Sequence, residues 1–119
     1  MAGERNGDFR HILRKIQKQE SLAGVDLRNL YLSGMDLSNL DLRGANFKGC
    51  RLNHGKLISS DLTNADLTDA TLVNASFKKA NLTGAVFRDA IVAGADFSEA
   101  QGLNPDVVNY LKAKGATGL

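Results

Sequence analysis

A large apolar residue returns at every fifth position through most of this chain. The stretch DLTNADLTDATLVNASFKKANL, residues 61–82, shows it: Leu62, Leu67, Leu72, Phe77 and Leu82 keep the interval, each with a small residue two places earlier (Ser60, Ala65, Ala70, Ala75, Ala80). A helix repeats its buried face at about 3.6 residues and a strand at about 2.0, so a period of five fits neither. The pattern starts at Val25 and runs to Glu99 without insertion or deletion. Its centres are Leu27, Leu32, Leu37, Leu42, Phe47, Leu52, Leu57, Leu62, Leu67, Leu72, Phe77, Leu82, Phe87, Val92 and Phe97.

The positions around each centre are restricted too. From Ala45 onward the place two before the centre is Ala, Cys, Gly or Ser, ending in a run of alanines to Ala100. The residue between is mostly polar, as at Asp26, Asp36, Asp41, Asn46, Asp61, Asp66, Asn81 and Asp96. After the centre come Ser, Thr, Lys or Arg, then Asn, Asp or Gly, which tolerate positive φ. Two residues in five therefore point inward, and three face water and turn the chain. A chain that turns a corner every five residues closes a square in twenty. Squares stacked about 4.8 Å apart make a rod roughly 19 Å long, with side chains twenty apart in columns. The single proline agrees with a backbone whose N–H groups are needed for pairing in extended ladders.

The units ADLTD, ANLTG, ANFKG and ADFSE resemble the pentapeptide-repeat family, whose units read roughly Ala-(Asp/Asn)-Leu-x-x. The resemblance covers residues 25–99. It implies an all-β solenoid, a right-handed quadrilateral β-helix, here of nearly four coils, and it is unspecific for function. The first four units depart from the pattern, with Val25, Leu30, Met35 and Leu40 in the small position. These larger groups mark residues 25–44 as the terminal coil.

A stacked β-helix leaves an apolar core and a raw edge at each end, and the sequence offers a short α-helical cap for both. In DFRHILRKIQKQ, residues 8–19, Phe9, Ile12, Leu13 and Ile16 form one helical face, Asp8 suits the N-cap, and Arg10, Arg14, Lys15 and Lys18 lie opposite. At the other end Gly102 occupies a centre and the repeat stops. Asn104 and Pro105 then read as N-cap and first helical residue, with Val107, Val108 and Leu111 facing the last coil and Tyr110 nearby. Lys112 and Lys114 suit the helix C-terminus, Gly115 its C-cap, and the residues ATGL after it are expected to fray. The expected organisation is an N-terminal segment with its helix over 1–24, the repeat over 25–103, and a capping helix with tail over 104–119.

Composition narrows the function. The net charge is +2, and within 25–99 eight Lys and Arg face nine Asp and Glu, which speaks against direct nucleic-acid binding. No apolar run reaches membrane-spanning length and no signal h-region opens the chain, so a cytoplasmic protein of bacterial style is expected. The lone cysteine, Cys50, falls in the small inward slot and reads as core. His11 and His54 lack metal-type partners at helical spacing and read as solvated. The stretch GCRLNHGKL matches a phosphate loop neither in its glycine spacing nor after Lys56, where Leu57 stands, and the repeat accounts for it. A narrow rod filled by Leu, Phe and Ala leaves no catalytic pocket, so no enzyme activity, cofactor or metal is expected.

Function then falls to the outer walls. One wall collects residues 30–34, 50–54, 70–74 and 90–94 and holds no carboxylate. Its polar-slot column reads Tyr31, Arg51, Thr71 and Ile91, with Asn53, His54, Val73 and Ala93 beside it. Exposed apolar groups together with Tyr and Arg are the usual ingredients of an interface. The neighbouring wall carries Arg28, Lys48 and Arg88 among carboxylates, a mixed field. The expected function is a binding or scaffold module presenting a rigid wall to a protein partner, as a monomer or end-to-end dimer. The family resemblance implies a rival, a DNA-like binder of DNA gyrase or another nucleic-acid-binding protein, which the near-neutral rod disfavours.

Overall fold

The computed structural model describes residues 9–119, so the N-cap expected of Asp8 lies outside the described residues. Parallel bridges join residues twenty apart along the repeat, among them Asp26 to Asn46, Arg51 to Thr71, Asp61 to Asn81 and Ser76 to Asp96. Each step is held by three backbone bonds, one of them from the second residue after the centre (His54 N–H to the Val73 carbonyl, 2.8 Å). The centre N–H donates forward (Leu52 to the Thr71 carbonyl, 2.8 Å) and the bridge residue donates back (Thr71 to the Cys50 carbonyl, 3.0 Å). A turn closes every five residues, as where the Ala75 N–H donates to the Leu72 carbonyl at 3.1 Å. Continuous extended ladders do not form: the described residues carry isolated bridges and no longer strand. Turning at every pentad leaves a single residue per side in ladder geometry.

The polar slots of the repeat follow from these turns. The second residue after each centre sits in left-handed geometry, with φ between 57° and 62° at Asn29, Asn39, His54, Ser59, Asn64, Asp69, Asn74, Lys79, Asp89 and Glu99. Asn, Asp and Gly tolerate that conformation best, which accounts for their frequency there. The residue before the centre accepts a hydrogen bond from the N–H two residues on: Asp36 from Ser38 (3.0 Å), Asp66 from Thr68 (2.9 Å), Asn81 from Thr83 (3.1 Å) and Asp96 from Ser98 (2.9 Å). This Asx geometry pins the corner. The same bonds hold the carboxyls of Asp36, Asp66 and Asp96 below their ordinary range, through side-chain and backbone donors on Ser38, Thr68 and Ser98, and Arg43 does so for Asp41.

A depressed folded-state value contributes stability above the unfolded value and loses it as pH falls through the folded one. The melting temperature is therefore expected to be flat near neutrality and to fall once pH drops below about 4, where free aspartate titrates. Calorimetry from pH 7 downward checks this; a melting temperature unchanged at pH 2 would contradict it.

The core is a stack of columns. All fifteen centres are at most 4 % exposed, and Ala45, Cys50, Ala65, Ala70, Ala75, Ala80 and Ala95 fill the inward small slots between them at 0 %. Phe77 and Phe97, twenty apart, stack with ring centroids 4.9 Å apart and planes 3° from parallel, and Phe87 meets both edge-on at 5.9 and 5.6 Å. Pairing already includes Leu22, buried, whose N–H donates to the Asp41 carbonyl at 2.9 Å. The ladder thus begins before Val25, where Glu20 in the small slot hides the pattern.

Two helices pack on the same core. α1, Phe9–Gln17, buries Ile12 and half-buries Ile16, while Leu30 and Met35 of the first lap also pack partly against the core. Phe9 departs from the expected buried face and is 38 % exposed, because it opens the helix at the corner of the first lap rather than over its centre. α2, Pro105–Ala113, starts where the Asn104 side chain accepts the Val107 N–H at 2.9 Å, and it buries Leu111 with Val107 and Tyr110 packed beside it. The residues after α2 do not fray. Gly115, with φ 92°, turns the chain back, Thr117 bridges Asp96, and its carbonyl accepts the Phe97 N–H at 2.9 Å. The unpaired edge of the last lap offers donors and acceptors that this tail satisfies.

Candidate protein-interaction wall

The carboxylate-free wall is assembled by the bridges Tyr31–Arg51, Arg51–Thr71 and Thr71–Ile91. Tyr31 is 67 % and Ile91 52 % exposed, at opposite ends of the column. The Arg51 guanidinium carbon lies 4.5 Å from the centroid of the Tyr31 ring and Arg51 also donates to the Tyr31 hydroxyl, so the two form one stacked unit. Thr71 lies between Arg51 and Ile91, and its Oγ1 is buried without a hydrogen-bond partner among the described residues. In the next column the Asn53 Oδ1 accepts the Val73 N–H at 2.9 Å, Val73 is half-buried, and Ala93 is exposed. His54 stands at an exposed corner with φ 62°. The eight residues singled out in the sequence thus lie along one wall, with Asn53, Thr71 and Val73 partly covered and the other five exposed.

The wall carries more unmatched turn donors than its neighbours, where among the described repeat turns the Arg88 N–H after Val86 also lacks an acceptor. On the other walls, Asp or Asn before the centre usually accepts the turn N–H two residues later. Here Tyr31, Arg51 and Ile91 cannot, and the N–H groups of Ser33, Asn53 and Ala93 have no acceptor among the described residues. An outward N–H left without a local acceptor is open to a partner's carbonyl or carboxylate. Elsewhere charge is balanced locally. Asp26 pairs with Arg28 and Asp41 with Arg43, both at 2.8 Å, and Lys48 and Arg88 flank Asp66. The Arg28, Lys48 and Arg88 column is therefore a mixed surface.

Nothing in the core offers chemistry. Cys50 is fully buried, and burial pushes its thiol up to about 12, far from a reactive thiolate. No helix among the described residues is long and apolar enough to cross a membrane. Sequence reasoning missed Phe9, the three free N–H groups and Val86, 42 % exposed on the neighbouring wall. For Val86 the signal was present, an apolar residue in an Asp/Asn slot. For the N–H groups it lay in what the column lacked.

The family model described as pentapeptide repeats matches eight copies across residues 21–57 and 60–101. The chain belongs to the pentapeptide-repeat family. Its fold is shared with a pentapeptide-repeat protein of the Arabidopsis thaliana thylakoid lumen, at 33% identity over 82% of this chain and 79% of that one, with a TM-score of 0.50. HetL, a pentapeptide-repeat protein involved in heterocyst differentiation regulation in the cyanobacterium Nostoc sp. strain PCC 7120, is 32% identical over 66% of this chain and 42% of its own, with a TM-score of 0.38. A second Nostoc PCC 7120 pentapeptide-repeat protein is 26% identical, over 92% of this chain and 95% of that one, with a TM-score of 0.40. None of the curated proteins matches the chain. As a pentapeptide-repeat protein it shares a scaffold whose inward positions are filled by packing, leaving the outward positions free to vary.

Proposed function

We propose that this pentapeptide-repeat protein is a non-enzymatic binding or scaffold module that docks a protein partner on the wall centred on Tyr31, Arg51, Thr71 and Ile91. The reading takes the rod as a right-handed quadrilateral β-helix of nearly four coils, with α1 and α2 as its caps. The segments are 1–24, 25–103 and 104–119, and it works in the cytoplasm as a monomer or end-to-end dimer. The observation that carries it is the pairing of exposed Tyr31 and Ile91 with three turn N–H groups that lack acceptors, on a face without carboxylates. A rigid wall costs little conformational entropy on binding, and Tyr with Arg supplies the usual anchors.

Tyr31→Asp and Ile91→Asp, each on the folded chain, are expected to weaken capture of the bound partner by about tenfold or more, the scale of losing one interface anchor. Affinity capture with quantitative mass spectrometry reads this. Equal recovery with both variants would remove the wall as the interface. The gyrase-type reading needs a strongly anionic rod, and the near balance of Lys and Arg with Asp and Glu over 25–99 does not supply one. Supercoiling by gyrase is expected to be unaffected by excess protein.

A further inference from the structure

We infer that the partner presents a carboxylate-rich segment with one apolar side chain, received where α1 meets the top of this wall. The inference deepens the wall reading and rests on it for Tyr31. Phe9 and Tyr31, both exposed, line with Asn29 and Leu30 an open groove of about 300 Å³. That volume admits one apolar side chain, and no described residue fills the space beside its two aromatic walls.

Charge fixes the rest of the partner. From Phe9 to Gln19 the chain carries no acid, with Asp8 and Glu20 the nearest in sequence. Arg14 and Lys18, one helical turn apart, are exposed, and neither makes an ion pair with a described residue. Arg51 stacks on Tyr31 and likewise has no carboxylate. Below it the Ser33, Asn53 and Ala93 N–H groups add donors without acceptors. Arg51 stacked on one groove wall, donors below it, and the outward positive face of α1 above, opposite Phe9, are complemented by a segment of acceptors and anions around an apolar anchor.

Other anionic partners fit less well. A membrane surface would need the apolar face of α1, and that face is turned inward, with Ile12 at 2 % exposure. A nucleic-acid duplex would need a longer cationic track, whereas Asp26, Asp66 and Asp89 stand on the adjoining wall and the whole chain carries only +2.

The test uses the full chain and a short synthetic peptide of glutamate and aspartate around a single phenylalanine. Comparison probes are its glutamine and asparagine twin, a twin with glycine for phenylalanine, phosphatidylserine vesicles, and a duplex DNA oligonucleotide. The acidic peptide is expected to bind at least about tenfold tighter than either twin, more weakly as salt rises, and to shift the Ser33, Asn53 and Ala93 amide signals in NMR spectra. Arg14→Glu combined with Lys18→Glu, and separately Phe9→Ala, should each weaken it by about tenfold with melting temperatures unchanged. Binding no tighter than that of the twins, or tighter binding of DNA or vesicles, would overturn the inference. So would amide shifts that avoid this wall. If partner capture still depends on Ile91 while the acidic peptide fails, only this inference falls. If capture ignores both Tyr31→Asp and Ile91→Asp, the wall itself falls.

Discussion

Phe77→Ala is expected to destabilise the protein by about 3–5 kcal/mol, the range for emptying an aromatic from a packed core. Phe77 is fully buried, stacked on Phe97 and touched edge-on by Phe87, so its removal opens a void in two columns at once. The neighbours cannot close that void, because bridges twenty residues apart fix the spacing of the laps on every side. A domain of this size has about 5–15 kcal/mol in total, so the change consumes a large share of it. Urea denaturation followed by circular dichroism measures it. Phe77→Leu, which keeps more of the volume, should cost clearly less. A loss below about 1 kcal/mol for the alanine variant would mean that the stack is not a tightly packed core.

Leu111→Ala is expected to cost about 2–4 kcal/mol and to act at a distance in sequence. Leu111 is the fully buried residue of α2, and the helix leads directly into the tail that pairs Thr117 with Asp96. Loosening α2 should therefore release the tail. Hydrogen exchange reads this site by site: the Phe97 and Thr117 amides, which bond to the Thr117 and Ala95 carbonyls, should lose protection together. The Leu52 amide, bonded to Thr71 in the middle of the repeat, should keep its own. Protection retained at Phe97 would show that the tail holds its place without the helix.

Most of the interior is legible in the sequence. The fifteen centres announce themselves by interval and chemistry, because a position that must be filled in every lap tolerates only Leu, Phe or Val. The corners were legible too, since left-handed geometry and a turn N–H in need of an acceptor restrict two further positions to Asn, Asp, Gly and their like. The wall could be drawn from the twenty-residue lap, and its lack of carboxylates read directly from the letters.

The remainder depended on contacts that no local pattern encodes. ATGL reads as a loose end, yet Thr117 finds the free edge of a lap twenty-one residues earlier, a register outside the repeat. Phe9 belongs to an apolar helical face, but the helix enters at a corner and leaves its first aromatic partly in water. The free N–H groups of Ser33, Asn53 and Ala93 are visible only once most turns of the other walls, that of Arg88 after Val86 excepted, have been seen to find their acceptors. Periodicity repeats one local solution, so sequence alone determined the columns, the corners and the character of each wall. The ends of the rod occur once each, and there the outcome rests on which unpaired groups and apolar surfaces happen to meet, which only the assembled chain decides.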